Sequence, residues 1–70
     1  MMPLTFADAG QGYIVKKIGG KPDVKKHLEN LGFVAGADVS VISAIGGNVI
    51  VKVKESRVAI SQEMARKIMV

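Results

Sequence analysis

The sequence predicts a mainly β fold, a small closed barrel with one helix in a connection and a short helical turn near the carboxyl end. Three observations lead there. Of 70 residues, 49% are hydrophobic but only 4% aromatic, so the core must be built from aliphatic side chains, many of them β-branched. Val49, Val51 and Val53 alternate with Ile50, Lys52 and Lys54, the period-two pattern of a half-buried strand. Glycines and prolines fall between short segments and cut the chain into strand-length pieces. Closing such strands into a barrel removes free sheet edges that invite aggregation.

Each element follows from local chemistry. Thr5-Phe6-Ala7-Asp8 has the spacing of a capping box and predicts a single helical turn, ended by Gly10 and Gly12. Tyr13 to Ile18 is aromatic and β-branched between glycines, which predicts a strand. Its alternation is imperfect, because Lys16 shares a face with Ile14 and Ile18; a bulge or a strand buried on both sides would account for that. Pro22 to Leu31 is the one convincing helix. Proline suits the first helical position, Asp23 complements the dipole there, and Val24, Leu28 and Leu31 form one apolar stripe. Gly32 stands where a left-handed cap is expected, and Phe33 where a Schellman motif would fold it back on Leu28.

Val39 to Ala44 and Asn48 to Lys54 are predicted to pair as a hairpin around Ile45-Gly46-Gly47, because glycine accepts the positive φ angles of a tight turn. Glu55-Ser56 marks the next turn and Arg57 to Ile60 a short strand. Ser61 is placed to cap a brief helix from Gln62 to Lys67, and Ile68-Met69-Val70 to close the sheet.

Composition excludes several classes of function. There is no cysteine, hence no disulfide framework and no thiolate metal site, which fits a reducing compartment. The amino terminus has neither the basic start nor the apolar stretch of a signal peptide, so a cytoplasmic location is expected. Leu31 to Val51 carries one charge over a length that could span a bilayer, but Gly32, Gly36, Gly46 and Gly47 interrupt it and its second half alternates. A hairpin is the expectation, not a membrane span.

Catalytic chemistry finds no foothold. His27 is the only histidine and reads as a solvated helix residue, and the six acidic residues are dispersed without ligand spacing. No nucleophile has an evident base, so no enzyme and no cofactor are expected; weak divalent metal binding at the surface stays open. Gly19-Gly20 and Gly46-Gly47 lack the lysine and hydroxyl residue of a phosphate loop and read as turn glycines. Ten basic residues against six acidic ones give a net charge of +4. Lys16, Lys17, Lys21, Lys25 and Lys26 cluster and can form one basic face, yet no aromatic is interleaved, so the stacking platform for single-stranded nucleic acid is missing. Phe33 has two placements: in the core beneath the helix end, which the spacing favours, or exposed beside glycines in a partner groove.

The order of these features resembles the FeoA family of ferrous iron transport accessory proteins over nearly the whole chain. Leu28-Glu29-Asn30-Leu31-Gly32-Phe33, then Gly36, Val39 and Val41, looks like that family's leucine-glycine turn and following strand. Gly46-Gly47-Asn48 with Val49 and Val51, then Val58-Ala59-Ile60 and Ala65, Ile68 and Val70, is similar to its second half. Lys26-His27 stands where an arginine pair is common, and Asn48 where proline is common. The resemblance implies a single SH3-like barrel domain over 1–70 that acts by contact with FeoB, the membrane ferrous iron transporter with a cytoplasmic G-protein domain, and implies no catalytic residue. Lys25, Lys26, Leu31, Gly32, Phe33, Gly46 and Gly47 are the candidate partner-binding residues. The alternatives are a free-standing SH3-like domain of the DtxR-like metalloregulator type and an RNA-binding small barrel.

Overall fold

Along the chain, a 3-10 turn at Leu4–Phe6 precedes strands β1 (Gly12–Ile14) and β2 (Lys17–Ile18), helix α1 (Pro22–Asn30), strands β3 (Asp38–Ile45), β4 (Asn48–Val53) and β5 (Ser56–Ser61), helix α2 (Gln62–Ala65) and strand β6 (Ile68–Met69). These elements come from a computed structural model that describes residues 1–70. They form a four-stranded antiparallel sheet in the order β1-β3-β4-β5 and a two-stranded sheet of β2 and β6.

The Gly46-Gly47 pair sets the register of the larger sheet. Both residues have positive φ, +57° and +82°, as a type I′ turn requires, and Ile45 pairs directly with Asn48 across them. The valines of β4 therefore point one way. Val49, Val51 and Val53 are buried, opposite Ala44, Val41 and Val39, while Lys52 is exposed. The register shifts between Val41 and Ser43, a bulge that leaves Ile42 outside the core.

The predicted strand from Tyr13 to Ile18 is two strands in two sheets. β1 pairs with β3, and two residues later β2 pairs with β6. Between them Val15 is buried and its N–H donates to the Ala37 carbonyl, while the N–H of Lys16 donates the other way, to Met69. This change of sheet is the cause of the imperfect alternation. It also corrects the expected role of Ile68-Met69-Val70, which does not close the main sheet but pairs with β2, and through Val70 with Met2 in both directions at 2.9 Å.

The capping box at Thr5 does not form. The turn starts one residue earlier, with Pro3 in the capping position and no side-chain bond, and Asp8 instead uses its N–H to reach the Tyr13 hydroxyl. α2 is also shorter than predicted, ending at Ala65, although Ser61 caps it as expected by accepting from the Met64 N–H.

α1 ends as its sequence predicts. Gly32 has φ +110°, its N–H donates to the Glu29 carbonyl, and the Phe33 N–H donates to the Leu28 carbonyl, both at 3.0 Å. These are the two bonds of a Schellman motif. A Cβ on Gly32 would meet the Val53 side chain at 3.4 Å. Gly32→Ala is accordingly expected to lose about 1–2 kcal/mol of unfolding free energy in urea, almost all from backbone strain. An unchanged midpoint would show that the turn relaxes.

The turn between β4 and β5 is Lys54-Glu55 rather than Glu55-Ser56, since Val53 pairs with Ser56. Lys54 has φ +56° and is the one residue other than glycine with positive φ. Lys54→Gly removes that strain against a smaller gain in unfolded-chain freedom, so a net stabilisation of about 0.5–1 kcal/mol is expected. Thermal unfolding of the variant reads it directly, and a lowered midpoint would refute it.

Fourteen buried aliphatic and aromatic side chains form one core: those of β3 and β4, with Leu4, Val15, Ile18, Leu28, Phe33, Ile60, Ala65, Ile68 and Val70. Every element but β1 contributes, and β1 adds the half-buried Tyr13 against them, which is how so short a chain encloses an interior.

Candidate functional site

The candidate partner-binding residues fall in two places. Lys25 and Lys26 are exposed on α1, Leu31 is half-buried at its end, and Gly32 and Phe33 are buried. Phe33 has no exposed surface, so of its two placements the core is the one it takes. Its side chain is unavailable to a partner in this conformation. Gly46 and Gly47 are exposed at the other end of the molecule. Gly32 packs against Val53 and Lys54 at one end of β4, whereas the glycine turn adjoins Asn48 at the other, a strand length of about 16 Å away. The basic residues Lys16, Lys17, Lys21, Lys25 and Lys26 are all exposed, and Lys67 joins them by lying beside Gly20.

Two surface depressions lie away from the candidate partner-binding residues. The larger, about 520 Å³, is lined by Met1, Met2, Tyr13, Ile14, Val70, Lys16 and Gly12. Its apolar lining includes Met1, 76% exposed, and Ile14, 46% exposed. The second, about 260 Å³, is lined by Gly12, Asp38, Val39, Ser40, Lys52 and Lys54. A third, about 160 Å³, lies between the helices at Val24, Ser61, Glu63, Met64 and Lys67. The broken alternation at Tyr13 to Ile18 was the one sequence signal near the first two. No three His, Cys, Asp or Glu side chains gather anywhere in the fold, and no helix is long and apolar enough to cross a membrane.

The FeoA domain family model matches residues 2–70. This chain belongs to the FeoA family. A provisionally assigned Fe(2+) transport protein A from Methanocaldococcus jannaschii is 40% identical over 70 residues, which are all of this chain and 85% of that protein. A crystal structure of an iron uptake regulatory protein, also a FeoA protein, superimposes with a TM-score of 0.87 at 28% identity, over 96% of this chain and 89% of that one. FeoA from Stenotrophomonas maltophilia, a prokaryotic SH3 domain protein solved with zinc, has a TM-score of 0.84 at 23% identity, over 99% of this chain and 88% of its own. The mainly β barrel of this FeoA-family chain is thus SH3-like.

Proposed function

We propose that this chain is a non-enzymatic accessory protein of ferrous iron uptake that acts in the cytoplasm by binding the cytoplasmic part of a FeoB-type transporter. The family match over residues 2–70 carries this reading, supported by 40% identity to an Fe(2+) transport protein A. A contact role suits the surface, which offers concave apolar and basic features without a nucleophile and base brought together. The test is co-purification of the chain with a FeoB-type transporter and with its isolated G-protein domain. Retention of the chain at equal stoichiometry is the expected result; its loss from both at low and at moderate salt would overturn the reading.

The same proposal includes no tightly held metal and no cofactor. With one histidine, no cysteine and no gathered carboxylates, the donor set is too poor for a strong transition-metal site. Calorimetry with ferrous iron and with zinc is expected to give no one-to-one site tighter than about 1 μM on the monomer. A tighter one would require ligands from backbone or from an unforeseen rearrangement, and would contradict a purely contact-based role.

A further inference from the structure

We infer that the outer face of the sheet around Gly12 is a docking trough for an extended peptide of a partner protein, apolar where it lies along β1 and acidic where it crosses to β4. The inference deepens the proposed contact role and rests on it for the partner's identity, but not for the peptide's chemistry.

Gly12 is the residue shared by the two larger depressions, so they meet over it. The register explains why. Gly12 pairs with Ser40, and Ser40 with Lys52, making one cross-strand row on a single face of the sheet. Arg57 of β5 extends the row beyond Lys52, and the two small members, Gly12 and Ser40, leave a low floor beside taller neighbours. A Cβ on Gly12 would touch nothing within 4 Å, so the floor is open to solvent.

The trough also runs along a free edge. β1 is the outermost strand of its sheet. The bond from the Val15 N–H to the Ala37 carbonyl sets the antiparallel alternation, which turns the polar groups of Tyr13 toward β3 and those of Gly12 and Ile14 away from it. An extended chain laid there gains main-chain hydrogen bonds, and alternate side chains enter the apolar depression formed by Met1, Met2, Ile14 and Val70.

Charge selects the occupant. Lys16, Lys52 and Lys54 line the joined depressions against a single carboxylate, Asp38. A peptide whose apolar residues precede carboxylates satisfies both halves, and a basic one would meet like charge. A lipid surface does not match, because it offers no main-chain groups to the free edge of β1.

The probe is an acetylated octapeptide of alternating leucine and valine followed by aspartates, titrated into 15N-labelled protein, with a lysine-for-aspartate peptide beside it. Shifts centred on Gly12, Ile14, Ser40 and Lys52 are expected from the acidic peptide, with saturation below about 1 mM. Gly12→Leu and Lys52→Glu should each weaken it about tenfold, and Gly12→Leu should leave the rest of the spectrum folded. The trough is refuted by no shift, by shifts centred on Lys17, Lys21 and Lys67, by equal binding of the lysine peptide, or by undiminished binding to Gly12→Leu. Shifts at the same residues that depend on protein concentration alone would assign the face to a second copy of the chain and equally overturn the inference. Gly12→Leu is then tested for co-purification with the transporter. A protein that binds the acidic peptide but not the transporter keeps the trough and loses the partner; the reverse keeps the partner and loses the trough.

Discussion

Phe33→Ala is expected to cost about 3–5 kcal/mol, the largest loss any single truncation brings to this domain. Phe33 is the bulkiest of the fully buried side chains, with no exposed surface. Its N–H is bonded to the Leu28 carbonyl through the main chain, a bond the variant keeps, so the loss isolates packing from capping. At roughly 0.05–0.15 kcal/mol per residue, a chain of 70 residues holds about 4–10 kcal/mol in total. The variant should therefore lose between about a third and all of the domain's stability. Urea titration followed by circular dichroism measures it, and a loss below about 1 kcal/mol would mean that neighbours fill the void.

Leu28→Ala is expected to cost about 2–5 kcal/mol, because Leu28 is the fully buried centre of the helix stripe. The informative comparison is with Leu31→Ala. Leu31 is half-buried at the helix end, and its truncation should cost clearly less. Similar losses would show α1 rotated about its axis relative to the sheet, which would also move Lys25 and Lys26. Reversal of the order would place the stripe on Leu31 and not on Leu28.

What the sequence revealed divides along a physical line. The glycine hairpin, the Schellman cap and the Ser61 cap were legible because each is closed by residues within a few positions of one another. Their chemistry is complete in a short window: two positive φ angles, a bond from Phe33 back to Leu28, a hydroxyl facing the next turn. The division of Tyr13 to Ile18 between two sheets was not legible, because the partners Val39 and Met69 lie far along the chain and both halves are equally β-prone. The turn at Lys54-Glu55 was missed for another reason. Nothing in a lysine announces positive φ; the pairing of Val53 with Ser56 imposes it. At the candidate site, sequence favoured the helix end and the glycine turn, where residue type is conspicuous. The trough owes its shape to the absence of a side chain at Gly12 opposite a serine, a property of register that no single residue displays.

The mutual bonds between Met2 and Val70 hold these two positions side by side. Joining residues 2 and 70 through a short linker and cutting the chain at Gly46-Gly47, an exposed turn, should give a circular permutant with the same barrel. Its folding rate is the instructive quantity. In the natural order, β2 finds β6 and Met2 finds Val70 only after nearly the whole chain has looped round, an entropic cost that slows barrier crossing. The permutant makes those contacts local and leaves the β3-β4 pairing as the distant one. A change in rate at nearly constant stability would show which of the two closures sets the pace.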